Sequence, residues 1–364
     1  MKPKALSATR GFLNACNRFE YSSGGEEEKA SLEAIFNNAN GPNWVRNDGW
    51  MNETLHHCQW YGISCDDERY INSIELRGNN LAGQFPVYTR RTKWGEHDLE
   101  SESHYNKYGL ANLYKLEIVD LGYNKLQGAI EYRPLYNLPS LRHFDISANQ
   151  LSGEVDALVT PVLTHSDFSN NNFNSMRRFD KYKGSYLTLL YCNVSDNAIK
   201  VNAADRLENI PPNIEQIYAQ NNQIYGSLPK SINNLPHLEQ FDMSSNALSG
   251  NLPESINGLP NLRYFNMSYN TLSGLLPDFS EALLTLQELD FSNQKIGFTG
   301  TIPENLRRYQ SFKVLNLAGN KLEGTIPPFI GNMAVLEVLD LSNNLLQSSI
   351  PPELGLLEGE YHCL

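Results

Sequence analysis

Histidine side chains are the first candidates for chemistry in this sequence. His143 and His165 each come directly before the residue that is predicted to point inward in a similar segment. If those segments are neighbouring strands, the two imidazoles lie side by side at roughly 4.8 Å, where they could share a metal ion or move a proton. We favour a role as solvated side chains or as ligand contacts over either chemistry.

A second cluster combines His56, His57, Cys58 and Cys65, which are side chains that bind zinc. The surroundings of the cluster do not favour a metal site. The sequence also contains no phosphate-binding loop of the GxxxxGK(S/T) type, no HExxH, no GxSxG and no kinase signature. We therefore predict a protein that is not an enzyme, with no cofactor and no bound metal.

The composition sets limits on the partners of this chain. The 364 residues carry a formal net charge of −12, and 40% of them are hydrophobic, so the chain can bury a core. Nucleic-acid binding needs clustered lysine and arginine, which the acidic balance disfavours. No apolar run approaches the 18 or so residues of a membrane span. We predict no nucleic-acid partner, and membrane contact only through segments outside this sequence.

The elements that position these side chains recur along the chain. LEQFDMSSNALSGNLP, LRYFNMSYNTLSGLLP and LEVLDLSNNLLQSSIP all fit the pattern LxxLxLxxNxLxGxIP. The LxxLxL part alternates like a strand, and the Asn can bond backbone groups where the chain leaves that strand. We number the repeats 1 to 11 by the residue at the Asn position: Asn79, Asn124, Asn149, Asn171, Asn197, Asn222, Asn246, Asn270, Gln294, Asn320 and Asn344.

This repeat resembles that of the plant-type leucine-rich-repeat receptor-like proteins. The segment ASLEAIFNNANGPNWVRNDGW followed by CQWYGISC is similar to their N-terminal cap. The resemblance implies a right-handed α/β solenoid, a horseshoe or superhelix with short parallel strands on its concave face. It further implies a disulfide between Cys58 and Cys65, and a cap in which Trp44, Trp50 and Trp60 cover the open end of the core.

The domain organisation follows from the extent of the repeats. We predict a disordered leader (1–25), a cap (26–70), a solenoid of eleven repeats (71–351) with an insertion (87–113), and a truncated partial repeat (352–364). Gly24-Gly25 and the three glutamates after them are interpreted as a linker before a helix. At the far end the expected leucine positions hold Glu360 and Cys363, so the chain is expected to stop where a twelfth strand would form.

The strand surface contains two sets of side chains that could meet a ligand. Between the two inward residues of LxL the repeats place a largely acidic column, which stacking would align. A basic ligand near Asp120, Asp145 and Asp167 would relieve the repulsion between like charges. The acids of this column are Glu75, Asp120, Asp145, Asp167, Asp242, Asp290 and Asp340. The predicted ligand-binding patch consists of His143, His165, Tyr191, Gln216, Tyr218, Gln240 and Tyr264.

Localisation is indicated by two features that disagree. Three glycosylation sequons, at Asn52, Asn193 and Asn266, favour secretion, with Asn52 the preferred site because the other two lie on the strand surface. The first 25 residues lack the apolar stretch of about 7–15 residues that a signal peptide needs. We favour an extracellular or cell-surface location with a truncated N-terminus, and the cytoplasm is the alternative.

The function predicted from these features is recognition without catalysis. A repeat solenoid offers a long concave surface, and the resemblance implies a receptor-like ectodomain that binds a peptide, protein or glycan in signalling or defence. The acidic column gives a mild preference for a basic ligand. Two alternatives stay open: a soluble inhibitor of a secreted enzyme such as a polygalacturonase, and an intracellular scaffold for protein–protein interactions.

Overall fold

A computed structural model describes residues 24–86, 109–157, 160–179, 188–278, 285–357 and 360–362. The predicted leader up to residue 23 and most of the predicted insertion (87–108) lie outside the described residues. The last residues of that predicted insertion belong to the solenoid instead, because Leu110 and Leu113 are fully buried in the core.

The cap begins with helix α1 (Gly24–Asn38). The linker predicted at Gly24-Gly25 is therefore wrong, and the glutamates after it form the first turns of the helix, where negative charge is favoured by the helix dipole. Glu28 is buried, and its carboxylate accepts a hydrogen bond of 3.1 Å from the backbone N–H of Ile71. This contact joins the helix to the first repeat strand.

The cap tryptophans pack against one another beneath this helix. The ring centroids of Trp44 and Trp50 lie 4.8 Å apart, and those of Trp50 and Trp60 lie 5.0 Å apart. All three rings are buried in the same hydrophobic core as the repeats. They close the N-terminal end of the core, as the resemblance implied.

One long sheet runs through the described part of the chain. Its first pair is antiparallel, between the two cap-proximal strands, and every later pair is parallel between successive repeats. The sheet order confirms the predicted solenoid. Its strands are β1 (Ile63–Cys65), β2 (Ile71–Glu75), β4 (Ile118–Asp120), β6 (His143–Asp145), β8 (His165–Asp167), β10 (Tyr191–Asn193), β11 (Gln216–Tyr218), β13 (Gln240–Asp242), β15 (Tyr264–Asn266), β17 (Glu288–Asp290), β19 (Val314–Asn316), β21 (Val338–Asp340) and β23 (Glu360–His362).

The twelfth strand, which the sequence analysis did not expect, is present as β23. Its register pairs Leu339 with Tyr361 and Val338 with Glu360. In the register of the sheet, Tyr361 therefore corresponds to Leu339 and Glu360 corresponds to Val338. The expectation that Glu360 stands at a leucine position is wrong by one residue.

Shorter parallel strands follow the Asn of most repeats and form lateral sheets. They are β3 (Ala82–Gln84), β5 (Lys125–Ala129), β7 (Gln150–Val155), β9 (Asn172–Met176), β12 (Tyr225–Gly226), β14 (Ala247–Gly250), β16 (Thr271–Leu275), β18 (Gly297–Thr299), β20 (Glu323–Gly324) and β22 (Leu345–Leu346). Helical turns then return the chain to the next strand. Their bounds are Leu110–Asn112, Leu135–Asn137, α2 (Ala203–Arg206), Lys230–Asn234, Glu254–Gly258, Glu304–Arg308, Pro328–Asn332 and Pro352–Leu356.

In repeats 2 to 11 the residue at the Asn position bonds backbone groups of its own repeat and of the repeat before it, and Asn79 of repeat 1 bonds the cap. Asn270, for example, accepts a hydrogen bond of 2.9 Å from the N–H of Leu248 in repeat 7 and donates to the carbonyl of Met243 at 3.0 Å. Gln294 makes the equivalent bonds with Leu272 and Met267. The predicted bonding of the Asn to backbone groups is confirmed. Because it recurs from repeat to repeat, these side chains form an interior ladder, which supplies the polar partners that buried turns require.

Candidate functional site: the strand face of the long sheet

The solvent-facing side of the long sheet, here called the strand face, consists of two aligned columns. The first column holds the residue before the inward side chain of each strand, and the second holds the residue after it. Parallel register aligns both columns, so His143 pairs with His165 and Asp145 pairs with Asp167. In the same register Tyr191 pairs with Gln216, and Asn193 pairs with Tyr218.

The Asp and Asn residues of the second column hold the turn that ends each strand. The Oδ1 atom of Asp145 accepts a hydrogen bond of 2.8 Å from the N–H of Ser147, and that of Asn193 accepts one of 3.0 Å from Ser195. Asn and Asp are interchangeable here because both supply the same acceptor oxygen. Much of the acidic column therefore has a structural role, and its residues Asp145 and Asp242 are only 8% and 6% exposed.

Arg77 neutralises the N-terminal end of the acidic column. Its guanidinium contacts the carboxylates of Asp120, at 3.3 Å, and of Asp145. The same guanidinium lies over the ring of Tyr123, 4.4 Å from its centroid. Arg77 thus already supplies at these two acids the positive charge that the sequence analysis assigned to a basic ligand.

Two further acids of the column have raised pKa values. Burial raises the pKa of Asp167 and of Asp290, while hydrogen bonds from Ser169 and Ser292 oppose the change. The second carboxylate oxygen of Asp290 accepts a hydrogen bond of 3.2 Å from the side-chain amide of Asn316. Both carboxylates are held within networks of the protein itself.

An aromatic row crosses the strand face in repeats 3 to 6. The ring centroids of His143 and His165 lie 5.7 Å apart, as do those of His165 and Tyr191. Tyr191 and Tyr218 follow at 5.8 Å. Burial, and then the neighbouring His143, lower the pKa of His165, which favours the uncharged form of that imidazole. The structure thus brings four of the predicted ligand-binding residues into contact.

Each tyrosine hydroxyl of the predicted patch is fixed by an acceptor of the protein. Tyr191 donates to Asp167 at 3.3 Å, and Tyr264 donates to Asp242 at 3.0 Å. Burial and these carboxylates raise the pKa of both hydroxyls. Tyr218 donates to Gln240 and makes a longer contact of 3.5 Å with Gln216, so these two predicted residues contact a tyrosine of the patch.

The asparagines after these tyrosines complete two similar three-residue groups. The amide nitrogen of Asn193 lies 3.2 Å from both Asp167 and the hydroxyl of Tyr191, and that of Asn266 lies 3.1 Å from the hydroxyl of Tyr264. These are two of the three predicted glycosylation sites. The nitrogen that a glycan would occupy is already a donor in each group.

The cap contains the predicted disulfide, between Cys58 and Cys65. The possible ligand atoms of His56, His57 and Cys58 lie within 4.8 Å of one another. The sulfur of Cys58 is covalently bound to Cys65, which removes it as a thiolate ligand. Burial and the neighbouring His57 lower the pKa of His56.

The pairing partners of this face were not predicted from the sequence. Arg77 follows the first strand and binds acids of repeats 2 and 3, and Asn193 and Asn266 order the tyrosines. A detectable signal existed for the asparagines, because the spacing Tyr-x-Asn occurs in repeats 5 and 8, each time one repeat after an Asp of the column.

Comparison with known proteins identifies the repeat. The family model "Leucine rich repeat" matches residues 212–272, and "Leucine Rich Repeat" matches residues 311–333 and 335–357. These parts of the chain are leucine-rich repeats. Among curated proteins, it is 26% identical over 150 residues to the probable LRR receptor-like serine/threonine-protein kinase RPK1 of Arabidopsis thaliana. That match covers 39% of this chain and 26% of the relative, so the chain spans a minor part of the curated relative's length.

Solved structures share the fold at low identity. The crystal structure of PEPR1-AtPEP1 matches with a TM-score of 0.71 and 22% identity, over 92% of this chain and 49% of that one. The LRR ectodomain of the Arabidopsis receptor kinase HAESA, in complex with an N-terminally extended IDA peptide hormone ligand, matches with a TM-score of 0.60 and 20% identity, over 93% and 50%. Among the described residues, no helix has both the length and the apolar character of a membrane span.

Proposed function

We propose that this chain is the ligand-recognising part of an extracellular, receptor-like protein. It binds a peptide or protein on the strand face, which is the concave surface of the solenoid. A curated relative is named a receptor-like kinase, and a solved neighbour holds a peptide hormone. The disulfide in the cap supports an extracellular or cell-surface location, because disulfides persist in oxidising compartments.

The observation that carries this proposal is the aromatic row from His143 to Tyr218. Tyrosine and histidine give a large contact area at a small cost in side-chain entropy, and aromatic anchors dominate the energetics of recognition surfaces. Their hydroxyls and rings are held by Asp167, Gln240 and one another, so little further ordering is needed when a partner binds.

The hydrogen-bond directions favour a partner that donates. Tyr191 and Tyr264 each give their hydroxyl hydrogen to a carboxylate and accept a hydrogen bond from Asn193 or Asn266, so each oxygen keeps one lone pair with which to accept from a partner. Backbone N–H groups of an extended peptide, or side-chain amides and guanidinium groups, complement such a surface. The mild preference for a basic partner therefore remains, but it now rests on acceptor oxygens of the strand face and not on free carboxylates.

The test uses a phage-displayed library of random peptides, selected on the immobilised chain. Peptides that bind are remeasured on Tyr191→Ala, Tyr218→Ala and the control Tyr225→Ala. Tyr225 is 44% exposed and lies on β12, in a different sheet. We expect each of the first two substitutions to weaken binding about 30-fold, the size of a hot-spot contact of about 2 kcal/mol, and the control to leave it unchanged.

Selected peptides that bind all three variants equally would refute the strand-face site. An inhibitor of a secreted enzyme would use the same surface for a folded partner. The inhibitor function would be favoured if no peptide were selected and if the chain bound a polygalacturonase in an assay in which Tyr191→Ala abolished that binding. An intracellular scaffold is less compatible with the cap, because the disulfide between Cys58 and Cys65 would be reduced in the cytosol.

A further inference from the structure

Two groups of three side chains on the strand face share one composition and one hydrogen-bond arrangement. Each combines a tyrosine, the asparagine two residues after it and the aspartate of the preceding repeat. The tyrosine hydroxyl donates to the aspartate and accepts from the asparagine, at distances between 3.0 and 3.3 Å. In both groups the tyrosine and the asparagine are partly exposed, so a ligand can reach them. The repeat-5 group is Tyr191, Asn193 and Asp167, and the repeat-8 group is Tyr264, Asn266 and Asp242.

The carboxylates of these groups lack the basic partner that other acids of the column have. Arg77 contacts both Asp120 and Asp145. Among the residues that the structure describes, no lysine or arginine forms an ion pair with Asp167 or Asp242. Each group therefore contains a carboxylate whose charge is not balanced, and the hydroxyl that donates to it presents an oxygen polarised by that hydrogen bond.

The charged side chains around the two groups are mostly acidic. Glu215 lies one repeat after the repeat-5 group. Beside the repeat-8 group, Glu288 is the register partner of Tyr264. Arg263 is the basic neighbour there, and its guanidinium is already paired with Glu239 at 3.5 Å. A positively charged side chain therefore meets a favourable potential at both groups.

The distance between the two groups is set by the sheet. Strands β10, β11, β13 and β15 are successive neighbours, so the groups are three strand intervals apart. At about 4.8 Å per interval this separation is about 14 Å. An extended peptide rises about 3.4 Å per residue and points alternate side chains to the same side, so positions i and i+4 lie on one side about 14 Å apart. Positions i and i+2 span only about 7 Å, and i and i+6 span about 20 Å.

We propose that the strand face selects extended peptides that carry two basic side chains at positions i and i+4. This inference rests on the proposed function and names the class of peptide that the site takes. One basic group donates to the hydroxyl of Tyr191 and the other to that of Tyr264, each beside the carboxylate of its group. Between them the first column presents the neutral amides of Gln216 and Gln240, which suit an uncharged residue at position i+2.

The first test varies the spacing in synthetic peptides that are titrated into the full chain. Each is an acetylated, amidated peptide of serine and threonine with two lysines, at i and i+2, at i and i+4, or at i and i+6. A fourth peptide replaces both lysines of the i+4 form by acetyl-lysine. Isothermal titration calorimetry should give the i+4 peptide an affinity at least about tenfold higher than the other three, because only that spacing forms both charge-assisted contacts at once.

Variants of the chain test the two contact points. Tyr191→Phe and Tyr264→Phe keep the ring and remove the hydroxyl oxygen, so each should reduce the advantage of the i+4 peptide over the i+2 peptide to less than about twofold. The matched control Tyr225→Phe lies in a different sheet and should keep the full advantage. Asp167→Asn keeps an acceptor for the N–H of Ser169 and removes the charge, and it should act like Tyr191→Phe.

Three results would overturn the proposal: no measurable binding of the i+4 peptide, equal affinities for the three spacings, or an i+4 advantage that persists in both phenylalanine variants. The phage-display selection separates this inference from the proposed function. If selected peptides bind the strand face while the three spacings bind equally, the spacing rule is wrong and the proposed function stands. A selection that yields no strand-face binder would contradict the proposed function and the spacing rule together.

Discussion

Replacement of one ladder asparagine provides a quantitative test of how the repeats hold together. Asn270 is 3% exposed. Its side chain accepts from Leu248 N–H at 2.9 Å and donates to the carbonyls of Met243 and Met267 at 3.0 Å each. In Asn270→Ala the N–H of Leu248 is left buried and unpaired, which costs about 1–3 kcal/mol, and the donated bonds add about 1 kcal/mol each. Allowing for relaxation of the turn, we expect the free energy of unfolding to fall by about 3 kcal/mol.

The assay is urea unfolding followed by far-UV circular dichroism and by tyrosine fluorescence, with the two curves compared to check cooperativity. Asn251→Ala is the matched control, since Asn251 is exposed and, among the residues that the structure describes, its side chain has only a long hydrogen bond of 3.4 Å from Ser273. The control should change stability by less than about 0.5 kcal/mol. Asn270→Gln should fall between the two, because Gln294 makes the same bonds one repeat later.

Equal destabilisation of the chain by Asn270→Ala and Asn251→Ala would refute a stabilising role of the ladder hydrogen bonds. That result would mean that water or the neighbouring turn satisfies Leu248 without the asparagine. If Asn270→Gln were as damaging as Asn270→Ala, the shape of the side chain would matter more than its hydrogen bonds.

Two further predictions concern the covalent chemistry of the chain. When the chain is secreted from a eukaryotic host, it should carry a glycan at Asn52, which is exposed, and none at Asn193 or Asn266, because the amide nitrogens of those two residues donate hydrogen bonds. Glycopeptide mass spectrometry measures the occupancy of each site. Full occupancy at Asn193 would contradict the assignment. Replacing Cys58 and Cys65 by Ser should destabilise the cap by about 2.4 kcal/mol, from the chain-entropy relation for two cysteines seven residues apart. Hydrogen exchange should show that loss as faster exchange in the cap, and unchanged exchange there would argue against the disulfide as a stabilising contact.

Much of the fold could be predicted from the sequence because the repeat pattern directly predicts the strands and their order. The positions of Asn79 to Asn344 define the strands, the ladder and their order. The twelfth strand could also have been found from the residue spacing of the repeats, because Tyr361 lies 22 residues after its register partner Leu339. The interpretation of Gly24-Gly25 as a linker failed because composition alone does not reveal that Glu28 is buried and bonds Ile71.

The strand face was harder to predict, because its chemistry depends on contacts between repeats. The acidic column is visible in the sequence, but Arg77 reaches Asp145 across 68 positions, which include the insertion after repeat 1. The engagement of Tyr191 and Tyr264 by acids of the preceding repeat requires the register of the sheet.

The direction of the asparagine ladder has a consequence for how the chain is made. Each ladder side chain reaches toward the N-terminus: Asn79 bonds Arg46 of the cap, and Asn270 bonds Leu248 of the repeat before its own. A ribosome releases the N-terminal residues first, so each turn emerges before the side chain that satisfies it. We expect structure to form during synthesis with a lag of one repeat, each newly emerged repeat completing the hydrogen bonds of its predecessor.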